Sequence, residues 1–195
     1  MSHISIIIPI TSREIIDKII IIQEAIAMVD PDLRYYFIKP YKLKLNLGKI
    51  TVEKKDIPII KFALKHVIDS IDWKYPYIEC CGIEKYTGIS NRTIYMKVKN
   101  LKIFQIIKQR IILEFLKINI KGKNKNLNFK SFPPIIPIMR QKIKLGFNIN
   151  SKLFVIWQHH QFGRQVNLKL QLIESEKEEE NYVICETNMI DIFWK

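Results

Sequence analysis

The stretch Tyr41-Lys42-Leu43-Lys44-Leu45-Asn46-Leu47-Gly48 constrains the fold of this chain more than any other. Leu43, Leu45 and Leu47 alternate with Lys42, Lys44 and Asn46, the period-two pattern of a half-buried strand. One face is leucine and must meet a core; the other presents Lys44 beside Asn46. Much later in the chain, Phe132-Pro133-Pro134-Ile135-Ile136-Pro137-Ile138-Met139-Arg140 has the same extended character. The two strands are expected to face each other across a cleft.

The rest of the chain supplies what such strands pack against. Residues 3–10 read as a first strand, buried on both faces in its middle. Thr11-Ser12-Arg13-Glu14 reads as a capping box, and the helix after it carries Ile15, Ile19, Ile22 and Ile26 at helical spacing up to Asp30-Pro31. Residues 34–38 and 42–52 read as extended. Asp56 is expected to cap a helix over 57–72, and Asn100 one over 101–117. Residues 76–83 and 92–98 read as paired strands. The Lys/Asn-rich segment 117–131 reads as a mobile loop. Residues 135–145 and 153–158 read as extended, Phe162-Gly163 as a turn, and 166–173 with 182–190 as a hairpin within residues 164–190, tipped by the acidic run 174–180. Strands that pair locally, with helices set apart, give an α+β class. No linker is visible, so residues 1–195 read as one bilobed domain.

Composition limits function only loosely. The net charge of +13 comes with 40 isoleucines and 26 lysines against six arginines, a skew that A/T-rich codons produce, so lysines that merely solvate the fold are expected alongside any nucleic-acid surface. Cys80, Cys81 and Cys185 form no C-x-x-C pair and are expected to be reduced thiols. The apolar run Ile4 to Ile10 lacks the flanks of a signal peptide, and no run reaches transmembrane length. A cytoplasmic setting without membrane attachment is expected, with the nucleus left open.

The order of elements and the two like strands resemble the two-histidine (2H) phosphoesterase superfamily, whose signature is a pair of His-x-Thr/Ser motifs. Within it the chain is most similar to the central domain of A-kinase anchoring proteins. Asn91 to Val98 is similar to that domain's central strand, and Phe162-Gly163 with Tyr182 to Thr187 to its C-terminal hairpin. The resemblance implies a bilobed fold in which two antiparallel sheets flank a central cleft, with helices packed outside. It places Lys44 and Ile135 where the histidines belong, and Asn46 and Pro137 where the hydroxyls belong.

At those positions the family chemistry has no means to run. One histidine takes a proton from the attacking hydroxyl and the other protonates the leaving oxygen, which needs imidazole titrating near neutral pH. Lys44 is a point charge and a poor base. Ile135 transfers no proton, and Pro137 offers neither hydroxyl nor N–H. The site therefore reads as catalytically silent, with no cofactor and no metal; among the histidines, His3 is terminal, His66 lies on a helix, and His159-His160 have no ligand partners at metal spacing.

The expected role is a scaffold or protein-interaction module in signalling, like an A-kinase anchoring protein. A phosphoserine-reading adaptor could engage Ser131. A docking helix for the regulatory subunit of protein kinase A is not expected in the few residues after Ile190. The alternatives are a non-hydrolysing AMP or CMP sensor, using Lys44 and Arg140 for phosphate, and an RNA-binding protein.

Overall fold

A computed structural model describes residues 2–71, 76–87, 91–117, 135–142, 155–176 and 180–188. Strand β1 (Ser2–Pro9) leads into helix α1 (Arg13–Val29), strand β2 (Lys44–Val52) and helix α2 (Ile57–Asp69). Strands β3 (Ile78–Thr87) and β4 (Asn91–Val98) then precede helix α3 (Leu101–Lys117). Strands β5 (Ile136–Lys142), β6 (Gln161–Gln165), β7 (Lys169–Glu176) and β8 (Glu180–Asn188) complete the order. Two four-stranded antiparallel sheets result, ordered β2-β1-β7-β8 and β5-β4-β3-β6. The α+β class and the two-sheet architecture expected from the sequence are what the chain adopts.

Apolar periodicity explains the core. Ile4, Ile6 and Ile8 of β1 and Leu45, Leu47, Ile50 and Val52 of β2 are buried in one apolar core with Ile15, Ile19, Ile22 and Ile26 of α1, a helix that lies against β6 of the second sheet. The same core takes Ile78, Cys80, Ile94, Met96, Ile136 and Ile138 of the second sheet, and Phe104, Ile107, Ile111 and Phe115 of α3 with Ile60, Leu64, Val67 and Ile68 of α2; α2 packs on α3, and α3 contacts β2 of the first sheet. Both motif strands stand at the edge of a sheet, the position in which a proline such as Pro137 is tolerated in a strand. These two edges, β2 and β5, contact each other.

Two buried glutamines tie elements together, one joining β6 to the end of β1 and the other joining α1 to β5 and to the segment before β2. Gln165 of β6 is buried; its Oε1 accepts from the N–H of Thr11 (2.7 Å) and Ser12 (3.0 Å), and its Nε2 donates to Pro9 O at 2.9 Å. Gln23 of α1, also buried, donates through Nε2 to Ile38 O (3.0 Å) and Ile138 O (2.9 Å). Each satisfies backbone groups that neither ladder reaches.

Several local expectations are corrected. The capping box is not formed: Ser12 occupies the cap position without a side-chain cap bond, Gln165 takes the free N–H groups, and Glu14 turns to Lys18 Nζ at 2.8 Å. Residues 34–36, expected to be extended, belong instead to a 3₁₀ turn over 31–36, because Pro31 presets its start and the Asp30 side chain accepts from Asp32 N–H. Only Phe37 pairs, with Met139.

The second helix ends at Asp69, and Asp56 makes no side-chain cap bond. Asn100 ties down the start of β3, accepting from Glu79 N–H and donating to Tyr77 O. Residues 155–157 are helical, which lets Trp157 stack on Phe162 and the His160 carbonyl accept from Gly82 N–H. Phe162-Gly163 lies inside β6; the reversal comes later, at Asn167 with its positive φ of 56°. Gly163 is needed in that strand because its φ of 118° is a backbone conformation that residues with a Cβ rarely adopt.

Candidate functional site

The register of the two edge strands decides which side chains look into the space between the sheets. In antiparallel pairs, residues directly opposite share a face. Asn46 lies opposite Ile7, but the register shifts after it, so that Gly48 lies opposite Ile6 and Lys49 opposite Ser5. The extra residue, Leu47, is buried. This bulge carries Lys49 onto the same face as Lys44 and Asn46, which simple alternation would forbid.

Strand β5 repeats the device. Pro137 lies opposite Tyr95 and Arg140 opposite Thr93, with a register shift between, so Ile138 and Met139 both point into the core. Arg140 thereby shares a face with Pro137. In each strand a bulge places a cation three residues beyond the motif's second position: Lys49 beyond Asn46, and Arg140 beyond Pro137. The carbonyl of the bulge residue Ile138 is held by Ile38 N–H at 3.0 Å and by Gln23.

The charges of the two strands act on one another. Burial pulls the half-buried Lys44 ammonium below the ordinary lysine range, and the charges of Lys49, Arg140 and Lys42 lower it further. Lys44 thus feels a cation from its own strand's bulge, one from the preceding turn, and one from the opposite sheet. Asn46 directs its Oδ1 to Gly48 N–H at 3.0 Å, bracing the bulge. Ile135 and Pro137 are half-buried and add an apolar flank.

Beside Pro137 the cleft-facing side of β4 is polar. Tyr95 donates through its hydroxyl to Glu84 Oε2 at 2.7 Å, and Lys97 Nζ lies 3.0 Å from Glu84 Oε1. Burial and this carboxylate push the Tyr95 hydroxyl up to about 12, while Tyr95 and Lys97 hold Glu84 below the usual carboxylate range. This group escaped the sequence reading, although the alternation Thr93, Tyr95, Lys97 along β4 carries its signal.

The histidines lie elsewhere. His3 bonds Thr51 Oγ1 at 3.0 Å at the opposite end of the β1–β2 ladder from Lys44, a separation of about 20 Å along the strand. His66 of α2 lies 3.3 Å from Glu114 of α3. His160 packs edge-on against Trp157 and Phe162 at the far edge of the second sheet. Among the described residues no group of three or more His, Cys, Asp or Glu could hold a metal ion. Cys80 is buried, which raises its thiol to about 12, and Cys81 half-buried; both are free. Ser131, the lysine-rich segment and the residues after Ile190 lie outside the described residues. No helix among the described residues is long and apolar enough to cross a membrane.

A family model described as the AKAP7 2′5′ RNA ligase-like domain matches residues 3–190. No curated protein matches the chain in sequence. Among solved structures, TT0787 of Thermus thermophilus is 14% identical, with a TM-score of 0.71 over 97% of this chain and 98% of that one. E. coli LigT complexed with 3′-AMP is 12% identical, with a TM-score of 0.64 over 96% and 98%. Usb1 of Kluyveromyces marxianus is 8% identical, with a TM-score of 0.50 over 87% and 92%. At these identities the likeness is one of fold.

Proposed function

This chain belongs to the family of the AKAP7 2′5′ RNA ligase-like domain, in the two-histidine phosphoesterase superfamily, and from that premise we propose that it binds a nucleotide phosphate in its cleft without cleaving it. One observation carries the reading: β2 and β5 bring Lys44, Lys49 and Arg140 together while offering Ile135 and Pro137 in place of groups that move protons. Clustered cations attract an anion and stabilise it. Proton abstraction and leaving-group protonation require a group titrating near neutral pH at each end of the reaction. A lysine, an asparagine, an isoleucine and a proline supply none. The LigT structures complexed with ATP, with 3′-AMP and with phosphate lend the same fold a phosphate-bearing ligand.

Calorimetry with AMP and CMP tests the reading. Saturable heat that Lys44→Ala abolishes is expected; no heat at millimolar nucleotide would end it.

A second reading, the protein-interaction module of a signalling scaffold, is favoured by the exposed apolar side chains where α1 meets the 3₁₀ turn. Met28 is 83% exposed and Tyr35 87%, with Val29 beside them.

A further inference from the structure

We infer that the apolar, acidic face of α1 docks head to tail onto the apolar, basic face of α2 and α3 on a second copy of this chain. This rests on the interaction-module reading above and names the partner of that surface.

The first face runs along the second half of α1. Ile21, Met28 and Val29 are exposed there, with Ala25 between them at helical spacing. Glu24 holds Arg34 at 2.6 Å, which fastens the 3₁₀ turn to the helix and keeps the exposed Tyr35 close by. No Lys or Arg occurs from Ile19 to Leu33, a stretch that contains Glu24, Asp30 and Asp32.

The second face spans two helices. Ile59 and Phe62 are exposed on α2, Phe62 by 74%, and Leu113 and Leu116 on α3. His66 lies 3.3 Å from Glu114, and Arg110 donates to Ser70 O at 2.6 Å, which sets the helices side by side and antiparallel. Phe62 stands one turn from His66, and Leu113 adjoins Glu114, so both flank that joint. Lys61, Lys65, Lys102, Lys108, Arg110 and Lys117 stand on these helices against Asp69 and Glu114. Glu114 is already engaged by His66 and Lys117.

Each face supplies what the other lacks. Both are exposed in one chain, so neither covers the other, and apolar surface of this kind marks a contact site. Pairing like faces would set acid against acid or base against base, which is repulsive. The net charge of +13 opposes self-association in general; the acidic α1 face removes that repulsion where the basic helices approach. Apolar burial holds the contact, and the charges fix its orientation. Because the two faces differ, the contact is heterologous, and copies add in a row or close into a ring.

Sedimentation velocity of the whole chain over a series of concentrations is the test. The wild-type chain is expected to grow beyond a monomer as concentration rises. Met28→Glu and Phe62→Glu, both at exposed positions, should each weaken that association by about 30-fold. Mixing the two variant chains should restore a 1:1 dimer and nothing larger, since each retains the face that the other has lost. If either variant associates alone as the wild type does, like faces pair and the proposal is overturned. A mixture that stays monomeric also overturns it. A wild-type chain that is monomeric throughout overturns it too, and leaves the α1 surface, as an interaction module, to a different protein.

Discussion

Lys44 is a residue whose surroundings all oppose its charge. Burial disfavours the ammonium, and Lys49, Arg140 and Lys42 repel it. A bound phosphate reverses the balance, so binding should raise its pKa and take up a proton. The sign follows. With the free-state pKa below the ordinary lysine value, the unliganded cleft loses the Lys44 charge at a pH where an exposed lysine keeps it. Phosphate affinity should fall as pH rises through that window, below about 10.4, and Lys44→Arg should flatten the profile because guanidinium stays charged. Calorimetric titration with phosphate across that range checks both. The same lowering makes folding stability rise with pH in the window, since the unfolded chain binds the extra proton there. The alternation around Lys44 was plain in the sequence, because Leu43, Leu45 and Leu47 must be buried. Its repression was not, since Arg140 arrives from a strand that no local pattern ties to it.

The two bulges are the elements that build the site. A strict period of two sends position 140 to the core and position 139 to the cleft, and the chain does the reverse. Gln23 holds the carbonyl of the bulge residue Ile138, so Gln23→Leu should cost about 1–3 kcal/mol in urea unfolding and should also weaken phosphate binding by misdirecting Arg140. Gln165→Ala, which unpairs Thr11 N–H, Ser12 N–H and Pro9 O, should cost a similar ~1–3 kcal/mol and leave phosphate binding intact. Equal binding losses in both variants would contradict the role given to the bulge.

Helices α1, α2 and α3 were legible from their apolar spacing. The 3₁₀ turn at residues 31–36 and strand β6 were not. Proline and an Asx bond outweighed the β-propensity of Tyr35, Tyr36 and Phe37, and the glycine that suggested a turn at 163 instead supplies a φ of 118° inside a strand. The capping box failed for a related reason: a buried glutamine from a strand far along the chain outcompeted Thr11 and Glu14 for the helix start.

At the scale of the molecule, two antiparallel sheets meet at the strands that carry the motif positions, each strand ending its sheet. That arrangement depends on β7 pairing with β1 and β6 with β3, long-range contacts that periodicity cannot reveal. It leaves a cleft with cations from both sheets and, among the described residues, no histidine beside them. The most direct measurement of the central claim is phosphorus NMR of 2′,3′-cyclic AMP in the presence of the protein. The resonance should shift and broaden with added protein, remain a single cyclic diester signal over days, and lose its response in Lys44→Ala. A phosphomonoester signal that grows with wild-type protein and disappears with Lys44→Ala, or a resonance that never responds, would contradict the account.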